Sequence, residues 1–137
     1  MRRYILDTGI AGLYLDRKRG VYERTSLENA KGNRIGITGQ VLAELAFRAE
    51  GSPHRDRNIL RIHDALKEWR LWFLDTEAAF EYARIAFELK KIGRAVGQND
   101  MGIAAIAISL GNTSVVTMDG DYMAISGLIV ENWANPI

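Results

Sequence analysis

Tyr4-Ile5-Leu6-Asp7-Thr8-Gly9 is an apolar run that stops at a carboxylate and a glycine. Such a run reads as a buried strand that opens through a turn into a helix. The pattern repeats along the chain. Arg34–Thr38 reads as a second short strand, and Gln40–Glu50 then places Val41, Leu42, Leu45, Ala46 and Ala49 on one helical stripe. Gly51-Ser52-Pro53 ends that helix. Arg55–Arg70 reads as a further helix with Ile59, Ile62, Ala65, Leu66 and Trp69 on one side, and Leu71–Leu74 as a third strand.

Asp75 and Thr76 are N-cap residues for the next helix, which the spacing packs through Ala79, Tyr82, Ala83, Ala86 and Leu89 and which Gly93 closes. Asn99-Asp100 opens another, running to Leu110 and stopped by Gly111. Its residues Ile103 to Ile108 are apolar nearly all round, which predicts burial. Ser114–Thr117 and Leu128–Val130 complete the strands. Short apolar strands alternating with helices define an α/β fold with a mainly parallel sheet.

The chain has 137 residues, a length that suits one domain over 1–137. Its 18 Lys and Arg against 17 Asp and Glu leave a formal charge of +1, so bulk charge does not attract a polyanion. Cysteine is absent, which excludes disulfides, thiolate metal sites and cysteine nucleophiles. The apolar start stops at Asp7, too early for a secretory signal, and no run approaches bilayer length. A cytoplasmic protein without membrane contact is the expectation.

In parallel sheets the binding crevice lies beyond the carboxyl ends of the strands, where the strand order reverses. Asp7 directly follows the first strand, Asp119 closely follows the Val115-Val116-Thr117 run, and Asp100 opens the buried helix. Glu44 lies on the shoulder of the Val41/Leu45 stripe. Each acid also has an ordinary reading, as helix cap, turn residue or solvated side chain. Together, convergent carboxylates repel one another unless a cation neutralises them. Hard oxygen donors select Mg²⁺ or Mn²⁺, and the chemistry that follows is metal-dependent phosphodiester hydrolysis.

Tyr4-Ile5-Leu6-Asp7-Thr8, Thr38-Gly39-Gln40-Val41-Leu42-Ala43-Glu44-Leu45, Gly97-Gln98-Asn99-Asp100-Met101-Gly102 and Val116-Thr117-Met118-Asp119-Gly120-Asp121-Tyr122 occur in that order, with Ile125–Trp133 closing the chain. In this order and spacing the set resembles a PIN domain, more narrowly the VapC-type toxin ribonucleases. The resemblance implies a PIN-like three-layer α/β/α sandwich, with a parallel sheet of about five strands in the order 3-2-1-4-5. It implies an acidic quartet of Asp7, Glu44, Asp100 and Asp119, with Mg²⁺ or Mn²⁺ held by Asp7, Asp100 and Asp119. Asp121 is an auxiliary acid, its closeness to metal relative to Asp119 being open. Thr8 and Thr117 match hydroxyls that orient carboxylates or water. An RNA substrate, a VapB-type antitoxin whose tail fills the acidic crevice, and a homodimer are also implied. Gly9 departs from the family's Asn, Tyr122 from Phe, and Gln98 from Pro.

Rival patterns fit less well. Asp7-Thr8-Gly9 is similar to the aspartic-protease triplet, but that fold is all-β. The haloacid-dehalogenase pattern needs an acid where Gly9 stands, and no glycine-rich phosphate loop follows the first strand. His54 and His63 lie in or beside a polar helix and read as solvated. A catalytically degenerate PIN scaffold that binds protein or RNA is the alternative function. For phosphate contacts the sequence offers Arg2, Arg3, Arg94 and Arg17-Lys18-Arg19. For a partner it offers Leu13, Tyr14, Leu15 and Val21.

Overall fold

The computed structural model describes residues 1–137. In chain order the elements are β1 (Arg3–Leu6), α1 (Thr8–Leu15), α2 (Val21–Ala30), β2 (Arg34–Thr38), α3 (Gly39–Glu50) and α4 (Arg55–Ala65). They continue with β3 (Arg70–Trp72), α5 (Thr76–Lys91), α6 (Gln98–Leu110), β4 (Thr113–Val116), a 3₁₀ turn (Gly120–Ala124) and β5 (Ile129–Glu131). The sheet has five strands in the order β3-β2-β1-β4-β5, every pair parallel, as the sequence led us to expect.

The chain steps one way from β1 to β3, then crosses back over the sheet to β4. Right-handed crossovers therefore place the α5–α6 pair on the face opposite the helices of the first half. The result is three layers around one apolar cluster that includes Ile5, Leu6, Ile37, Val41, Ile103, Val115 and Val116. In α6, Ile103 to Ala107 are all buried, as a helix without a polar face must be. No helix is long and apolar enough to cross a membrane.

Several details differ from the sequence reading, each for a local reason. The segment after β1 holds two helices, broken between Asp16 and Gly20 where Arg17, Arg19 and Gly20 have positive φ. The second was missed because α2 buries Val21, Thr25 and Glu28, which is no apolar stripe. The helix expected over Arg55–Arg70 ends at Ala65. The third strand is Arg70–Trp72 rather than Leu71–Leu74, because β2 ends at Thr38, paired with Trp72, and turns into α3. In α5 the buried stripe is Ala78, Ile85 and Leu89, with Tyr82 half-buried, while Ala79 and Ala83 face solvent. The expected stripe is right at Leu89 and, half-buried, at Tyr82 and Ala86, but it missed Ala78 and Ile85; Phe80 and Phe87 are exposed.

The surface expected to meet a partner is also corrected. Tyr14 and Val21 are core residues and Leu13 and Leu15 are half-buried against the core. Arg2 and Arg3 are not near the acids. They sit at the amino ends of the strands, where Arg2 donates to Ser114 Oγ and Asn112 Oδ1.

β3 approaches β2 so closely that a Cβ on Gly36 would stand 2.2 Å from the Arg70 carbonyl oxygen. That overlap is with backbone and cannot be relieved by a rotamer. Gly36→Ala is therefore expected to lower unfolding free energy by about 2 kcal/mol or more, measured by urea denaturation.

Candidate active site

The strand order reverses at β1, whose neighbours are β2 and β4. Asp7 leaves the end of β1, and its backbone N–H donates to Val116 O at 3.1 Å, which fixes it beside β4. The Asp7 carboxylate does two things. Its Oδ1 caps α1 by accepting from the Ile10 N–H at 2.9 Å, and its Oδ2 accepts from the Thr117 hydroxyl. Thr117 in turn accepts from the Asp119 N–H at 2.9 Å, and Asp119 Oδ1 accepts from the Asp121 N–H at 2.9 Å. One chain of hydrogen bonds thus links Asp7, Thr117, Asp119 and Asp121. It ends on Arg94, whose guanidinium donates to Asp121 Oδ1 at 3.2 Å.

Glu44, on α3, is held from α1. The Thr8 hydroxyl donates to its Oε2 at 2.6 Å. Asp100, in the first turn of α6, accepts from the Tyr122 hydroxyl at 2.9 Å. Sequence reading missed this role for Tyr122, counting only its ring. The ring is buried with the core, and the one polar atom it carries is spent on Asp100. A tyrosine where a phenylalanine would fill the same space was the available signal.

Burial is the main force raising the Asp7 pKa above the ordinary carboxylate value, with the charges of Asp100 and Asp119 adding to it, while Thr117 and Ile10 oppose. Burial likewise raises that of Asp100, assisted by Asp119, Asp121 and Glu44 and opposed by Tyr122. Burial first, then Asp100, keeps the Tyr122 hydroxyl protonated and a donor. Asp7 thus feels Asp100 and Asp119, and Asp100 feels Asp119, Asp121 and Glu44, at the carboxyl edge of the sheet. No group of three or more acids is close enough to hold a metal ion as they stand. A cleft of about 710 Å³ opens beside this edge rather than over it, lined by Thr38, Gln40, Phe73, Tyr82, Asn99 and Ile103 among others.

The donors are all hard oxygens, and the hydrogen-bond partners of Asp7, Asp100 and Asp119 include no cationic side chain. Burial first, and neighbouring acids second, disfavour the charged forms of Asp7 and Asp100. In chemistry this set fits Mg²⁺ or Mn²⁺. Gly9 leaves room at the same place: a Cβ there would stand 3.7 Å from Asp7 Oδ1 and 3.6 Å from Met118 Cε, both ordinary contacts.

This sheet order, with acids gathered where it reverses, defines a PIN-type α/β protein. No protein-family model matches the chain. Ribonuclease VapC2 of Haemophilus influenzae is 32% identical over 133 residues, spanning 97% of this chain and 99% of that protein. The tRNA(fMet)-specific endonuclease VapC of Shigella flexneri is 31% identical over 135 residues, spanning 98% of this chain and 100% of that protein. Among solved structures, DNA-bound VapBC of Salmonella typhimurium superposes with a TM-score of 0.88 at 29% identity, covering 98% of this chain and 100% of that one. The chain belongs to the VapC family of ribonucleases.

Two outcomes test the electrostatics. A carboxyl group whose folded pKa is raised contributes stability below its unfolded pKa and loses it as pH rises through the folded value. Asp7→Asn, which keeps the α1 cap, is therefore expected to melt higher than the parent at neutral pH in EDTA. That advantage shrinks as pH falls toward the unfolded carboxylate value. Tyr122→Phe removes the donor to Asp100, on the order of 1 kcal/mol of support for the ionised form. NMR titration of Asp100 should then show its pKa rising further.

Proposed function

We propose that this protein is a Mg²⁺- or Mn²⁺-dependent endoribonuclease, the toxin of a VapBC-type toxin–antitoxin module. The observation that carries the reading is the placement of Asp7, Glu44, Asp100 and Asp119. They leave different elements, and the reading is supported by the influence of Asp100 and Asp119 on Asp7 and of Glu44 and Asp119 on Asp100, near the strand-order reversal. Like charges so gathered weaken folding, and a cation-dependent reaction accounts for keeping them.

Asp7, Asp100 and Asp119 are the residues that would hold the cation. When bound, such a cation supplies an acidified water and neutralises phosphate oxygens. The chain does the rest. Thr117 and the Ile10 N–H hold both oxygens of Asp7, Tyr122 orients Asp100, and Thr8 fixes Glu44. Glu44, so fixed, positions the attacking water for in-line displacement at phosphorus. The P–O3′ bond breaks, so the products carry 5′-phosphate and 3′-hydroxyl ends. Single-stranded or loop RNA suits the site because its backbone bends into a crevice. The Shigella relative acts on tRNA(fMet), and a structured RNA with an accessible loop is the substrate class we assign.

The solved relative is a VapBC complex, and we infer a VapB-type antitoxin as partner here. Two exposed apolar faces are free to serve it and a second copy of this chain. Phe47 on α3 and Leu60 on α4 are exposed on the one hand, and Phe80 and Phe87 on α5 on the other.

The test is incubation of the purified protein with RNA in Mn²⁺ or Mg²⁺. Cleavage to 5′-phosphate ends is expected, stopped by EDTA and reduced at least a hundredfold in Asp7→Asn and Asp100→Asn, both folded by circular dichroism. Near-parental cleavage by either variant overturns the site. No cleavage, with a Tm that millimolar metal does not raise, favours the degenerate-scaffold alternative.

A further inference from the structure

With a net charge of +1 the protein has no general attraction for a polyanion, so any grip on RNA must come from placed cations. Most basic side chains are engaged or distant. Arg2 is bonded to Ser114 and Asn112, Arg17 lies 3.7 Å over the Tyr22 ring, and Arg61 donates to Leu15 O and toward Asp16. Two arginines instead flank Asp119, one on each side along the chain.

Arg19 reaches Met118, the residue before Asp119, by donating from Nη1 to Sδ at 3.4 Å. The same Met118 packs beside Gly9, next to Asp7. Thioether sulfur is a weak acceptor, so the guanidinium keeps most of its donor capacity. Arg19 is held in the left-handed region, at φ 56°, between Lys18 and Gly20 at φ 75°. L-residues adopt that region uncommonly, and here the C-terminal tail also holds the position. The Asn135 N–H donates to Arg19 O at 2.8 Å, and Arg19 Nε donates back to Asn135 O at 2.7 Å. A solvated surface arginine needs no such holding.

Arg94 reaches Asp121, two residues after Asp119. Its launch point is equally fixed. Gly93 has φ 67° and its N–H donates to Lys90 O at 3.1 Å, while the Arg94 N–H donates to Leu89 O at 2.9 Å, the Schellman closure of α5. The ion pair with Asp121 is about half exposed on both sides, 48% and 49%. Such a pair is weak in water and exchanges readily for a phosphate, which a guanidinium binds in bidentate fashion.

We propose that Arg19 and Arg94 are a two-point clamp for the RNA sugar–phosphate chain, gripping phosphates on either side of the one to be cleaved. Both are positioning residues. The proposal builds on the ribonuclease reading above, and the experiment separates the two.

Binding is measured in an Asp100→Asn background, where the amide oxygen still accepts from Tyr122 and cleavage is removed. The probe is a fluorescein-labelled single-stranded oligoribonucleotide of mixed sequence, read by anisotropy over a salt series. Arg19→Ala and Arg94→Ala are each expected to weaken Kd roughly three- to tenfold, and to lower the slope of log Kd against log salt by about 0.7. Arg19→Lys and Arg94→Lys should restore the slope. Arg34→Ala, an equal charge loss at the far end of the sheet, should change neither. In the active protein KM rises while kcat stays within about twofold. Unchanged affinity and slope in both alanine variants overturns the clamp, as does an equal loss in Arg34→Ala or a fall in kcat alone. So does weakened antitoxin binding with intact RNA affinity. If the parent fails to cleave RNA but binding still depends on both arginines, the nuclease reading fails and the clamp stands.

Discussion

Burial of carboxylates at the carboxyl ends of β1 and β4, with neighbouring acids adding to its cost, is the constraint on which the candidate site depends. Asp7, Glu44, Asp100, Asp119 and Asp121 come from different parts of the chain. Asp100 feels Glu44, Asp119 and Asp121, Asp7 feels Asp100 and Asp119, and Arg94 pairs with Asp121 at the margin. The surrounding donors soften the strain without cancelling it. Thr117, Thr8, Tyr122 and the Ile10 N–H each donate to one acid, yet Asp7 and Asp100 still resist ionisation. A parallel sheet makes such a concentration possible, because every strand delivers its following residue to the same edge.

The sequence revealed the sheet because its strands are short, apolar and each followed by a turn or a helix cap. Tyr4-Ile5-Leu6 and Ser114–Thr117 are buried on both faces, so their composition alone marks them. Asp7 and Asp119 were legible for the same reason, being fixed by where strands end. Less visible were features that depend on packing between distant segments. Helix α2 buries Thr25 and Glu28, and α5 has exposed apolar residues beside its buried ones, so periodicity gave no apolar stripe in one case and only part of the buried set in the other. Arg2 and Arg3 were offered as phosphate contacts, but they are not near the acids. The four-residue strand that Arg3 opens puts both arginines at the opposite end of the sheet from Asp7.

The C-terminal tail does more than close the chain. Trp133 packs on Tyr4 with ring centroids 4.8 Å apart, and Arg24 sits over the same indole while pairing with Glu28 and Glu131. Asn135 then grips Arg19. Gly20 permits that approach: a Cβ there would stand 2.3 Å from Asn135 Nδ2, and its φ of 75° already favours glycine. The α1–α2 connection is thus set by the last residues of the chain, which is why no local reading of Arg17-Lys18-Arg19 could tell its members apart. Arg17 stacks on tyrosines, and Arg19 alone is turned toward Met118.

The Tyr122–Asp100 hydrogen bond is one of the links between the turn after β4 and helix α6. Asp119 and Asp121 ride on the 3₁₀ turn after β4, whereas Asp100 rides on α6 and Arg94 on the loop between α5 and α6. The hydroxyl of Tyr122 ties the turn to α6, and Arg94 ties it to the end of α5. The turn is therefore fastened to the α5–α6 layer at two points. On its other side Thr117 fastens it to Asp7 and hence to β1. A segment so held cannot shift one acid without shifting the others. The distances between Asp7, Asp100 and Asp119 are consequently a property of how the α5–α6 layer sits on the sheet. Substitutions that reseat that layer, such as at Ile85 or Ile106, act on the acidic centre without touching it.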